Sequence, residues 1–185
     1  QVRESPAGGY VCVPRPLPSR MKDALNARLD QLSPSARSLA ELAATIGRDF
    51  TFDVLAEAAD ESEGRLVRAL DELWQHRIIR EQGEEAYDFS HDKLREMAYA
   101  GLSEARRRML HRHVASALES LHADNLDHVA AQVACHYERA DERREAIEYY
   151  QRAAEMAESA HTPEDSRTYR RRASRLAEAL SSRGT

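Results

Sequence analysis

The chain has 185 residues, enough for one large or two small domains, and 42% of its side chains are apolar. Its formal net charge of −5 excludes a globally basic surface, so the composition does not favour non-specific nucleic-acid binding. We expect neither a transmembrane segment nor a signal peptide, because no apolar run is long enough and the first residues lack a basic start. The abundance of Ala, Leu, Glu and Arg predicts a mainly helical protein, and we expect a cytoplasmic one with unpaired thiols at Cys12 and Cys135.

Residues 1–32 are predicted to be a lead-in and a linker helix. The chain does not begin with Met, and its first residues have the composition expected at the edge of a longer protein. The run from Tyr10 to Val13 fits a short strand, and three prolines then delay any helix until Ser19. A helix from Ser19 to Gln31 is predicted by three apolar residues at helical spacing: Met21, Leu25 and Leu29.

The next segment, residues 33–103, is predicted to contain three helices. Ser33 and Pro34 are typical of a helix start, and Gly47 is typical of a helix end. A short second helix follows Thr51, and a third is predicted to end near His76. The side chains expected in one core repeat at helical spacing: Leu39, Leu42, Ile46, Leu66, Leu70, Leu73 and Trp74.

A two-stranded hairpin is predicted after the third helix. Arg77-Ile-Ile-Arg80 and Tyr87-Asp-Phe89 are short alternating runs, and a polar stretch with Gly83 separates them. Three helices followed by a hairpin is the element order of a winged helix-turn-helix domain.

The helix start that follows this hairpin holds the most informative polar residues of the chain. Ser90 is predicted to be the N-cap, with His91 and Asp92 in the first turn and Leu94 on the buried face. Phosphate groups are favoured at such a place, because free backbone N–H groups and the positive end of the helix dipole point outward there. The alternative is a His-Asp pair that only caps and orients its own helix.

The C-terminal part is predicted to be entirely helical. Ser103 begins a helix with an inward stripe, and later helices are expected to begin at Asn125 or Asp127, at Asp141 and at Thr162. The inward stripe of the first of these helices is Leu110, Val114, Leu118 and Leu121. Residues 127–160 fit the spacing of a tetratricopeptide repeat, with a generic helical hairpin as the alternative. The residues that carry this match are Val133, Ala134, Tyr137, Ala146, Tyr150 and Ala153.

Six short motifs occur in an order that resembles one protein family. They are Ala27-Arg-Leu-Asp-Gln-Leu-Ser-Pro34, Ala44-Thr-Ile-Gly-Arg-Asp-Phe50, Leu70-Asp-Glu-Leu73, Phe89-Ser-His-Asp92, Arg107-Arg-Met-Leu-His111 and His136-Tyr-Glu-Arg-Ala140. Together they resemble the region after the ATPase module in bacterial signal-transduction ATPases of the STAND and NB-ARC type. That group includes large LuxR-type and antibiotic-regulatory-type transcription regulators and cyclase–ATPase fusions.

The resemblance implies a mainly α architecture, with a winged helix-turn-helix domain at 33–103 and antiparallel, TPR-like helical hairpins at 104–185. It also implies an upstream ATPase domain in cis, carrying ADP or ATP, and a protein or small-molecule effector on the helical repeats. His91, with Asp92, would sense the nucleotide diphosphate in the full-length protein. The chain itself has no phosphate-binding loop, so we expect no bound cofactor and no enzymatic activity in it.

Several histidines and arginines admit other interpretations. His111 and His113 would project about 200° apart on one helix, so we expect structural or surface histidines and no metal site. No Ser-His-Asp arrangement points to a catalytic site. Arg106, Arg107 and Arg108 are interpreted by default as a solvated helix face, with phosphate or interdomain contacts as the alternative.

DNA binding is the main alternative function, because a winged helix often inserts its third helix in the major groove. Residues 60–85, which include that helix and the hairpin, contain 8 acidic and 4 basic side chains. A surface that faces phosphates needs the opposite balance. We therefore expect a nucleotide-state switch within a transcription regulator and no DNA or membrane binding by this chain.

Overall fold

A computed structural model describes residues 2–4, 10–12, 19–83 and 86–182, with side chains from residue 23 onward. The described chain is mainly helical, as the composition predicts. A short antiparallel pair, β1 (Val2–Glu4) and β2 (Tyr10–Cys12), precedes helix α1 (Ser19–Asp30). The predicted strand is thus present up to Cys12, whereas Val13 and the prolines after it lie outside the described residues.

The segment after α1 contains three helices and three strands. These are α2 (Pro34–Ile46), β3 (Asp49–Thr51), α3 (Phe52–Ala58), α4 (Glu63–Gln75), β4 (Ile79–Gln82) and β5 (Ala86–Phe89). The Ser33 hydroxyl accepts a hydrogen bond from the Ala36 N–H, which confirms the predicted cap of α2. The strands form an antiparallel sheet in the order β3-β5-β4.

Strand β3 was not predicted, and the expected two-stranded hairpin is a three-stranded sheet. Phe50 lies opposite Tyr87 in the β3–β5 register and is buried against the ring of Phe89. A strand of three residues is too short to show alternation, so only its pairing with β5 identifies it.

The core prediction holds for six side chains and is wrong for Trp74. The buried stripe of α4 is Leu66, Ala69, Leu70 and Leu73. Trp74 is 56% exposed, because the next residue after Leu73 lies about 100° further around the helix, away from the stripe.

Ser90 does not cap the helix that follows the sheet, α5 (Asp92–Ala100). Its hydroxyl donates to the carbonyl oxygen of Arg77 at 2.5 Å, and its N–H donates to the Ile78 carbonyl oxygen at 2.9 Å. Both bonds tie Ser90 to the start of β4, so His91 occupies the N-cap position instead.

The C-terminal helices are α6 (Glu104–Leu121), α7 (Ala130–Ala140), α8 (Arg143–Ser159) and α9 (Pro163–Ser181), with a 3₁₀ helix at Ala123–His128. Ser103 caps α6 as predicted, through a bond from the Arg106 N–H. Short connections make α7, α8 and α9 successive antiparallel neighbours, and the six side chains of the repeat match are all buried.

Three predictions for this part are wrong. Leu121 is 40% exposed because it lies in the last turn of α6, where few elements cover it. The next α-helix begins at Ala130, since the residues around Asn125 and Asp127 form the 3₁₀ helix. Asp141 ends α7 in a left-handed conformation with φ of 64° and does not cap α8. Within the described residues, none of the helices is both long and apolar enough to cross a bilayer.

Candidate functional site

His91 lies exposed at the start of α5, directly after the central strand of the sheet. Its backbone is extended, and in the described part of the chain its side chain makes no capping hydrogen bond. Asp92 follows it in the first turn, where an acidic residue complements the positive end of the helix. The Asp92 carboxylate lies 3.3 Å from the Arg48 guanidinium, and both side chains are more than half exposed.

The backbone below His91 is held by a bidentate ion pair within the sheet. The buried carboxylate of Asp88 accepts bonds from Arg80 at 2.7 and 2.9 Å and from Gln82 at 3.1 Å. The Arg80 hydrogen bonds hold the pKa of Asp88 below its usual range, although burial acts in the opposite direction. The β4–β5 hairpin is therefore a firm support for the start of α5.

This geometry is suited to binding an anion at the surface. The first N–H groups of an α-helix lack intrahelical partners, and His91 stands beside them with an imidazole that faces solvent. The Arg48 side chain offsets the charge of Asp92, so the carboxylate does not present an uncompensated negative charge to an approaching phosphate.

The three consecutive arginines of α6 contact different parts of the molecule. Arg106 donates to the Glu41 carboxylate at 2.7 Å and to the Ser38 hydroxyl at 3.1 Å, which joins α6 to α2. Arg107 places its guanidinium 4.7 Å from the ring centroid of Tyr99. Arg108 forms ion pairs with Glu104 and, at 3.7 Å, with Asp141. Within the described residues, the three guanidinium groups therefore contact different neighbours.

A buried network of side-chain hydrogen bonds links α5, α6 and α7. The Tyr99 hydroxyl lies 2.8 Å from Nε2 of His111, and Nδ1 of His111 lies 2.9 Å from Nδ1 of His136. Both imidazoles are buried, and burial lowers the pKa of His111 to about 3 and that of His136 to about 4. The nearby charges of Arg107 and Arg139 lower the pKa of His111 further.

When His111 and His136 are both neutral, one imidazole can donate the hydrogen bond that the other accepts. Only one of the two Nδ1 atoms can carry the proton that they share, so one imidazole donates and the other accepts. If His111 donates through Nδ1, its Nε2 accepts from the Tyr99 hydroxyl, and the opposite tautomer reverses both bonds. With both rings protonated, two N–H groups would face each other at this distance.

The sequence analysis did not predict these buried hydrogen bonds, although the helical pattern contains a signal for them. His111 follows Leu110 and lies one turn before Ala115, and His136 lies one turn before Ala140. Each histidine is therefore on an apolar stripe that faces the interior. No spacing in the sequence indicates that these two stripes face each other.

Within the part of the chain that the structure describes, no group of three or more His, Cys, Asp or Glu side chains is arranged to hold a metal ion. Comparison with known proteins gives no match to this chain among family models, curated proteins or solved structures. The interpretation of the site therefore depends on its own geometry.

Proposed function

We propose that this chain is the regulatory region of a multidomain signal-transduction ATPase of the STAND and NB-ARC type, in which His91 senses the nucleotide diphosphate. The observation that carries the proposal is the exposed imidazole of His91 at the start of α5, on a firm hairpin and with no side-chain cap bond in the described residues. In this proposal the nucleotide is bound by an ATPase domain in cis, and the chain itself is not an enzyme.

The topology of residues 34–89 supports a winged helix as the switch module. A helix, a short strand, two helices and a hairpin follow one another, and the first strand pairs with the last strand of the hairpin. This is the order of a three-helix domain with a wing. Its third helix, α4, exposes Val67 and Trp74, an apolar pair better suited to a protein contact than to DNA phosphates.

The helical region supports a TPR-like platform for an effector. Small buried residues on α7 and α8, namely Ala134, Ala146 and Ala153, allow these helices to approach closely. In the proposed mechanism an effector bound to this platform releases the contact between His91 and the diphosphate, which allows oligomerisation. Two states with different contacts are what such a switch requires.

Replacing His91 with alanine is expected to weaken ADP binding by the parent protein about 10- to 100-fold. This is the loss of affinity expected when one charge-assisted hydrogen bond to phosphate is removed. The stability of the chain should change little, because His91 is exposed. ADP affinity should be measured in a protein that includes the ATPase domain, together with the melting temperature. His122→Ala, which removes another exposed imidazole at the end of α6, is the matched control.

Equal ADP affinity in His91→Ala and wild type, combined with a large drop in melting temperature, would show that His91 is structural. A loss of affinity that also occurs in His122→Ala would indicate a general effect of lost imidazoles.

A second prediction concerns the affinity of the chain for duplex DNA, which we expect to be weak. Mixed-sequence duplex DNA should bind the chain no more tightly than about 100 μM at physiological salt, the weak end of non-specific affinity. Fluorescence anisotropy with a labelled duplex measures this directly. Tight, sequence-dependent binding that disappears in Arg65→Gln or Arg68→Gln would instead assign DNA recognition to α4.

A further inference from the structure

A polar pocket of about 370 Å³ lies at the joint between the sheet-containing segment and the C-terminal helices. The end of α5 contributes Tyr99, the first turns of α6 contribute Glu104, Arg107 and Arg108, and the end of α7 contributes Glu138, Arg139 and Asp141. It is separate from the start of α5, since Tyr99 is two helical turns from His91.

The three carboxylates of this pocket already have cationic partners. Glu104 pairs with Arg108, and Asp141 pairs with Arg143 at 2.9 Å. Glu138 accepts a hydrogen bond from the Tyr150 hydroxyl at 2.6 Å and lies 3.4 Å from Arg172. Because these carboxylates already have partners, they do not neutralise the other two arginines of the pocket, Arg107 and Arg139.

Among the described residues, Arg107 and Arg139 have no carboxylate partner. Nε of Arg107 is buried and has no hydrogen-bond partner among the described residues, while its guanidinium rests on the Tyr99 ring. One Nη of Arg107 lies 3.5 Å from the Leu102 carbonyl oxygen, at the limit of a hydrogen bond. Arg139 is exposed, and the contacts of the described chain give it no carboxylate. Within the described residues the charges of these two guanidinium groups are therefore not balanced by a carboxylate, and an anion in the pocket would balance them.

We infer that this pocket binds a phosphate group of a small molecule, between the guanidinium groups of Arg107 and Arg139. Arginine is well suited to this task because its planar guanidinium offers several donors to phosphate oxygens. A phosphate group has enough oxygens for both guanidinium groups to bind it at once, whereas a carboxylate presents only two. The charges of both arginines lower the pKa of His111, and a bound phosphate would offset that effect.

The test uses the full chain and two probes, inorganic phosphate and pyrophosphate, with acetate as the planar comparison. Isothermal titration calorimetry should show saturable binding to wild type that is at least about tenfold weaker in Arg139→Gln and Arg107→Gln, the loss expected for one charge-assisted bond. Arg171→Gln, which removes an exposed arginine of α9, is the matched control and should bind like wild type.

A second measurement separates a specific pocket from general attraction to a basic surface. In NMR titrations at neutral pH, saturating phosphate should shift the side-chain Nε–Hε resonance of Arg107 in wild type and leave it unchanged in Arg139→Gln. Since Arg139 is exposed, this variant should fold even if Arg107→Gln does not, and it decides the question alone.

Non-saturable binding, equal affinity in Arg139→Gln and wild type, or equal affinity for acetate and phosphate would each overturn the inference. A loss of binding in Arg171→Gln as large as in Arg139→Gln would overturn it as well.

Discussion

Replacing Leu73 with alanine is expected to lower the free energy of unfolding by about 2–5 kcal/mol, the range for a large aliphatic side chain removed from a packed core. Leu73 is fully buried on the inner stripe of α4. The neighbouring replacement Trp74→Ala should change the free energy of unfolding by no more than roughly 0.5 kcal/mol, because this ring is mostly exposed.

Chemical denaturation followed by circular dichroism measures both variants on the same scale. Trp74 is the single tryptophan of the chain, so its fluorescence is an independent check on its exposure. The native emission maximum should lie close to that of the unfolded chain. A loss of stability in Trp74→Ala that equals the loss in Leu73→Ala would place both side chains in the core and contradict the described packing.

Acidification is expected to destabilise the fold through the buried pair His111 and His136. Both pKa values are lowered in the folded state, to about 3 and about 4, from an ordinary value of 6.5. The unfolded chain therefore binds more protons than the folded chain below that value. Stability is fully present above pH 6.5 and falls as the pH drops toward 4, by about 1.4 kcal/mol per pH unit for each histidine.

The free energy of unfolding should be measured at several pH values between about 7.5 and 4.5, a window above the main titration of carboxylates. His136→Gln removes one of the two buried groups and should reduce the slope by about half, even if its stability at neutral pH is lower. The control His122→Gln, at an exposed histidine, should keep the slope of wild type. An unchanged slope in His136→Gln would show that the buried pair is not the source of acid sensitivity.

Local chemistry was sufficient to predict the helices and several of their ends. Ser33 with Pro34, Ser103, and Thr162 with Pro163 mark helix starts that the structure confirms. Apolar residues repeated at helical spacing predicted the buried stripes of α2, α4 and α6, apart from Trp74 and Leu121. A cap and a helical period depend on residues within one or two turns, and for that reason the sequence alone determines them.

The remaining features depend on contacts between residues far apart in the chain. Strand β3 exists because Phe50 meets β5, and Ser90 leaves the cap position because Arg77 and Ile78 accept its hydrogen bonds. The pairing of His111 with His136 requires α6 and α7 to present their stripes to each other. For the site, the sequence alone predicted an exposed His91 after a strand and in the first turn of a helix, whereas in the structure His91 is the N-cap residue before α5. Only tertiary packing decided which polar groups are buried together, because burial and pairing arise between elements and not within them.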